Sequence, residues 1–158
     1  MIYKRVSTFY ICPTPIGNLE DTSNRIIETL KFVDLIYCED TRRASKFTNN
    51  FSIETPLKSF FLGNEFKRNE EINQHLLEGK NVALISDAGT PLISDPGSEL
   101  LSYLISNEHN IVSIPGPSSV LTALTVSGFE LNEFQFLGFI PKAGKAVSYT
   151  HLRAHETV

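Results

Sequence analysis

The chain has 158 residues, a formal charge of -4, 41% apolar and 20% charged residues. This is globular composition, long enough for a sizeable core, and it argues against disordered and membrane classes. No run approaches the roughly 20 apolar residues needed to span a bilayer, and the N-terminus with Lys4 and Arg5 lacks a signal-peptide core, so a cytoplasmic location without a membrane partner is expected.

In chain order, residues 9–13 (FYICP) form a short apolar strand. Thr14-Pro15-Ile16-Gly17-Asn18 is loop chemistry, and Asp21 or Thr22 is placed to cap a helix carrying Ile26, Ile27, Leu30 and Val33 at helical spacing. Residues 35–38 are the next strand, ending at Glu39-Asp40-Thr41-Arg42-Arg43, and 44–49 is a short helix. The stretch 51–64, with Pro56 and Gly63, has no assignable regular structure. A helix over 69–78 stops at Gly79, a C′ residue. Then come a fully apolar strand over 82–85, a helix over 97–106, a strand over 111–114, a helix over 118–126 and a last strand over 134–139. Strands alternate with helices, and several strands are unbroken apolar runs. The fold class is therefore α/β, a mostly parallel sheet flanked by helices.

In such sheets ligands bind beyond the carboxyl ends of strands. Four loops occupy that position: 13–19, 38–42, 86–97 and 115–119. Gly89 and Gly97 permit positive φ or close backbone approach, while Pro91 and Pro96 stiffen their loop. Asp87, Thr90 and Asp95 offer acceptors for ribose hydroxyls or a cationic group. Taken singly, each loop reads equally as a plain turn, and Asp21, Asp95 and Ser118 as helix caps. Their convergence on one sheet edge is what points to a ligand. Neither G-x-G-x-x-G nor G-x-x-x-x-G-K-[ST] nor G-x-S-x-G occurs, which disfavours nicotinamide, nucleoside triphosphate and serine-hydrolase chemistry.

Cys12 and Cys38 sit in apolar runs and read as reduced, buried thiols. His75 and His109, on a surface helix and a loop, are not favoured bases. Residues 147–157 (VSYTHLRAHET) resemble a translated sequencing adapter, so the His151/His155 pair is not read as a metal site and no metal is expected. The acidic balance gives no bulk support for a nucleic-acid partner, although only the local field at a contact surface matters.

Five motifs carry a resemblance in order: PTPIGNLED (13–21), CEDTR (38–42), SDAGTPLISDPG (86–97), PGPSS (115–119) and FLGFIPK (136–142). Together they resemble a bacterial family of small-subunit ribosomal RNA methyltransferases within the tetrapyrrole-methylase superfamily. The resemblance implies an S-adenosylmethionine-dependent enzyme that methylates the ribose 2′-oxygen of a cytidine in 16S rRNA, within the small ribosomal subunit. It implies a cofactor cleft between two α/β domains and a homodimer of the full-length protein. Residues 1–128 would then be the N-terminal domain, 129–146 the start of a truncated second domain, and 147–158 a non-native tail.

Carried over by motif, the methyl donor would contact Pro15 and Gly17, then Asp87, Ala88, Gly89, Thr90 and Ile93, and finally Ser118 and Ser119. The second motif, with Arg42, Arg43 and Lys46 as a local cationic cluster, would face RNA. Glu39, Asp40 and Asp87 are the candidate bases, and the sequence does not choose between them; Glu39 or Asp40 is expected nearest the ribose, because their motif has two acids with an adjacent Arg. The sequence departs from the family at Phe60-Phe61-Leu62-Gly63-Asn64-Glu65, which keeps Asn-Glu but lacks the histidines found there. Alternative readings are a superfamily member acting on a tetrapyrrole or a protein, and an inert truncated module. The face around 134–140 is expected to be exposed and to favour association.

Overall fold

The apolar runs 35–38 and 82–85 become strands at the residues expected of them, β2 (Leu35–Cys38) and β4 (Val82–Ile85). The computed structural model describes residues 7–139, and the chain divides into two units, Met1–Ser127 and Gly128–Val158. The tail at 147–158 lies outside the described residues.

In the first unit, β1 (Thr8–Cys12) and β5 (Asn110–Ser113) flank the expected strand positions by a residue, and β3 (Leu57–Ser59) is a short edge strand. The five strands form one sheet in the order β3-β2-β4-β1-β5, and every pairing is parallel. The expected parallel α/β sheet is what the chain forms. The helices are α1 (Asn24–Phe32), α2 (Thr41–Asn50), α3 (Glu65–Leu77), α4 (Ser98–Ser106) and α5 (Ser119–Thr125).

Side chains on a strand alternate between faces, so each strand feeds two cores. Cys12, Ile36, Cys38, Ala83 and Ile85 pack with Ile26 and Leu30 of α1 and Ala44 and Phe47 of α2. Phe9, Ile11, Tyr37, Val82 and Leu84 pack with Ile72 and Leu76 of α3 and Leu100 and Leu104 of α4. Both faces of the sheet are therefore covered, which explains the unbroken apolar runs.

Helix ends follow local chemistry. The cap of α1 is Ser23, whose hydroxyl accepts from the Ile26 N–H, not Asp21 or Thr22. Those two residues are used earlier, in the 3-10 turn Leu19–Asp21 and its C-cap. After α3, Gly79 at φ +83 donates to the Leu76 carbonyl while Lys80 donates to that of His75, a Schellman closure. Helices α2 and α3 begin earlier than apolar spacing suggests, at Thr41 and Glu65, because their polar first turns carry no periodic signal.

In the second unit, residues 134–139 do not form the expected strand. A strand is defined by its ladder, and none forms on this segment, whose Phe134, Phe136, Leu137 and Phe139 are exposed.

Candidate functional site

The carboxyl ends of β1, β2 and β4 stand side by side, because β4 returns between the first two strands. Crossovers therefore leave the sheet here in opposite senses, which opens a crevice at the strand ends.

The first and third loops are joined by backbone. Thr14 N–H donates to the Gly89 carbonyl at 2.9 Å and Gly89 N–H donates back at 3.0 Å. Thr14 Oγ1 donates to the Ser86 carbonyl at 3.0 Å, and Ser86 Oγ donates to that of Gly89 at 2.7 Å. Both hydroxyls are buried, and these bonds give them the partners burial demands. Gly89 stands at φ +84, and a Cβ there would lie 3.4 Å from Ile16 Cγ2. The fourth loop joins through Thr90 Oγ1, which donates to the Pro117 carbonyl at 3.1 Å. Gly116 approaches so closely that a Cβ would lie 2.7 Å from Pro13 Cβ.

The second loop meets the third through charge. Arg43 Nη1 donates to Asp87 Oδ2 at 3.1 Å. A cleft of about 230 Å³ runs between Thr14, Pro15, Leu19, Lys46, Phe47 and Ser86, and the Arg43–Asp87 pair lines it. A broader, more open cleft of about 600 Å³ is lined by Glu39, Asp40, Arg42, Ser59, Phe61 and the same pair. Arg43 and Asp87 thus border both spaces.

The two acids of the second loop differ. Asp40 caps α2, accepting from the Arg42 N–H at 2.9 Å, and its carboxylate also takes the Arg42 Nε and Nη2 at 3.1 and 2.8 Å. Those hydrogen bonds hold its pKa at about 2. Glu39 moves the other way: partial burial, then the neighbouring Asp87 and Asp95, push its carboxyl above the usual range. Burial, then Asp87, likewise raises Asp95. Glu39 and Asp95 line one small cavity with Phe60 and Pro91.

The remaining predicted positions sit around this centre. Pro15 is half-buried, whereas Gly17, Ala88 and Ile93 are exposed on their loops. Ser118 caps α5 and Ser119 is its first residue. Arg42 is engaged with Asp40, and Lys46 lies on the cleft wall. Composition did not single out Thr14 and Ser86, the two buried hydroxyls that tie the loops together. Their only sequence signal is a hydroxyl residue directly following an apolar strand. Among the described residues no group of three or more His, Cys, Asp or Glu side chains could hold a metal.

A parallel sheet with Gly/Pro loops converging at a switch point is the frame of a methylase domain in comparisons with known proteins. The model of the tetrapyrrole (corrin/porphyrin) methylases matches residues 8–157, and the chain belongs to that family. Solved structures agree on the fold: a uroporphyrin-III-C-methyltransferase from Thermus thermophilus superposes with a TM-score of 0.59 at 18% identity, covering 80% of this chain and 54% of that one. A conserved hypothetical protein from Aeropyrum pernix K1 gives 0.63 at 16% identity, covering 83% and 46%.

Among curated relatives, the chain is similar to ribosomal RNA small subunit methyltransferase I of Halalkalibacterium halodurans, at 45% identity over 87% of this chain and 48% of the relative. The same-named protein of Thermotoga maritima is 48% identical over 84% of this chain and 60% of the relative. The Bacillus subtilis protein is 46% identical over 86% and 47%. The chain spans about half the length of most of these relatives.

Proposed function

We propose that this chain forms the N-terminal part of an S-adenosylmethionine-dependent enzyme that methylates the ribose 2′-oxygen of a cytidine in 16S rRNA. The observation that carries the reading is the closure of the first, third and fourth loops into one hydrogen-bonded rim at the strand ends. It is joined by the similarity to relatives bearing the rRNA methyltransferase name.

The residues present fit part of a methyl donor. The 230 Å³ cleft is smaller than the roughly 300–1,000 Å³ typical of a small-molecule site, so this rim accommodates one portion and leaves the rest to other chain. Pro15, Gly17, Asp87, Ala88, Gly89, Thr90, Ile93, Ser118 and Ser119 would hold it. When bound, S-adenosylmethionine supplies an electrophilic methyl group on a positively charged sulfur.

The work left to the protein is alignment and removal of one proton. Alignment is worth on the order of 7–11 kcal/mol in favourable cases. Of the three candidates Glu39 is the best base, because its raised pKa lies nearer neutrality and its oxygens are not consumed by a cap, whereas Asp87 is paired with Arg43. Asp40 instead fixes Arg42 and the start of α2. Arg42, Arg43 and Lys46 face the RNA backbone, and Phe61 offers an exposed ring in the cleft that the two arginines line. The substrate particle is the small ribosomal subunit, the full-length protein is a homodimer, and its place is the cytoplasm.

Calorimetry with S-adenosylmethionine on this chain, beside a chain of the relatives' length, tests cofactor binding. Formation of 2′-O-methylcytidine on small ribosomal subunits by the longer chain tests the substrate. Methylation of a tetrapyrrole or a protein instead would overturn the reading.

A further inference from the structure

Gly97 is the N-cap of α4, buried, at φ +119, and without a side chain to close the helix start. At φ +119 any side chain would be strained, and its Cβ would also have to displace Leu92 Cδ2, 2.7 Å away, so a capping residue is disfavoured in place of the glycine. The usual remedy for an N-cap N–H is a Glu or Gln at the third helical position, reaching back. In α4 that position is Leu100, which is apolar and 1% exposed. The acceptor comes from another helix: Glu65 Oε1 takes the Gly97 N–H at 3.0 Å.

The loop this bond closes is strained. Leu92 at φ 76 and Ser94 at φ 104 are left-handed without being glycine. Such residues persist only where their surroundings over-determine them. Glu65 is itself well braced. The neighbouring Asn64 accepts from the Phe61 N–H at 2.9 Å and donates to the Ser59 carbonyl at 3.2 Å, where Arg68 Nε also donates at 3.0 Å. The end of β3, the start of α3 and the third loop are thereby one hydrogen-bonded unit.

We propose that Glu65 is a positioning residue for the third loop, fixing its cleft-lining shape through the Gly97 N–H. Its bearing on methyl-donor affinity rests on the function proposed above. The role requires an acceptor oxygen and not a charge, because the donor is a neutral backbone N–H. That separates it from a mere helix-dipole role at the start of α3, which depends on the negative charge.

The test compares Glu65→Ala and Glu65→Gln in the full chain. Amide exchange of the peptide covering 92–97 reads the loop, and calorimetry reads S-adenosylmethionine. The expected result is exchange faster by about 10-fold or more, and affinity weaker by about 10-fold, in Glu65→Ala. Glu65→Gln stays within about twofold of wild type in both. Unchanged exchange in Glu65→Ala overturns the proposal, as does a Gln variant as impaired as the Ala one. Should Glu65→Ala unfold the chain, Glu65→Asp, one methylene shorter, takes its place with the same two outcomes. If wild type of the relatives' length binds no S-adenosylmethionine, the functional reading fails, while the exchange arm still decides whether Glu65 holds the loop.

Discussion

Thr14 and Gly89 exchange both of their backbone hydrogen bonds, at 2.9 and 3.0 Å, across two loops far apart in sequence. A two-bond bridge of this kind fixes the separation of the loops with no side-chain specificity. The cleft beside it has one wall set before any ligand arrives, and preorganisation of this sort lowers the ordering cost of binding.

The glycine in that bridge is expected to separate strain from site effects. Gly89 and Gly79 sit at nearly the same torsion, φ +84 and +83, but a Cβ at Gly79 meets nothing within 4 Å. Left-handed strain costs an alanine about 1–2 kcal/mol at either position. Urea unfolding should therefore show similar losses for Gly79→Ala and Gly89→Ala. Only Gly89→Ala should weaken S-adenosylmethionine binding, since Gly89 is bonded to Thr14 at the rim and its Cβ would touch Ile16 there. Equal affinity in the two variants would remove Gly89 from the site.

How far all this was legible depended on whether a feature lies in one segment or between two. The runs LIYC and VALI are buried on both faces, so hydrophobicity alone marks β2 and β4. Leu57–Ser59 is an edge strand of three half-buried residues with Lys58 in its middle, too short and too mixed to signal itself. At α1, Asp21, Thr22 and Ser23 are all capable caps, and only the backbone path selects Ser23. The loops could be placed on one edge from strand order, but their joining could not. Thr14 bonds to Gly89, Arg43 to Asp87 and Glu65 to Gly97 through tertiary proximity that no local pattern encodes.

The two acids of the second loop should behave oppositely when neutralised. Glu39 is raised in the folded chain, so its ionisation opposes folding, and its effect on stability grows as pH rises through the raised value. Glu39→Gln should therefore leave stability at neutral pH equal or slightly higher while removing methylation. Asp40 is lowered to about 2, so its contribution is present above the ordinary carboxylate range and is lost as pH falls toward 2. Asparagine is a good N-cap, and Asp40→Asn should keep much of the activity. A pH profile of kcat/KM in wild type should fall on its acid side above the ordinary carboxylate range. Full turnover in Glu39→Gln would exclude it as the base.

Arg43 spans both clefts but is held only at the surface, with its side chain 70% exposed. Exposed ion pairs are worth about 0–1 kcal/mol, so Arg43→Ala should barely move the urea midpoint. If Arg43 meets a phosphate, RNA affinity should fall and the salt dependence of binding should lessen by about one phosphate contact. Titrations at several salt concentrations measure both. An unchanged slope would mean that Arg43 serves only to orient Asp87.

The buried thiols offer a probe of the same sheet. Cys12 and Cys38 lie at the ends of β1 and β2, almost fully buried, and burial pushes each pKa up to about 12. Thiolate is the reactive form, so native protein should resist thiol reagents near neutral pH and label only on opening. Labelling in urea should follow the unfolding transition, with both cysteines reacting together because both belong to one packed core. Early reaction at Cys38 would show that β2 and the edge strand beside it open before the rest.

Acid stability should trace to Glu71 on α3. Its carboxylate takes Lys58, Arg68 and the Tyr37 hydroxyl, tying the edge strand and the second strand to the helix. Burial alone would raise its pKa, but the hydrogen bonds from those three residues outweigh burial and hold it at about 2. A lowered carboxyl stabilises above its unfolded pKa, and that stability drains away as pH falls toward the folded value. The gap in urea midpoint between wild type and Glu71→Gln should therefore be widest near neutral pH and narrow from about pH 5 to about pH 3. A gap that stays constant across that range would mean that Glu71 contributes through packing and hydrogen-bond geometry, with its charge immaterial.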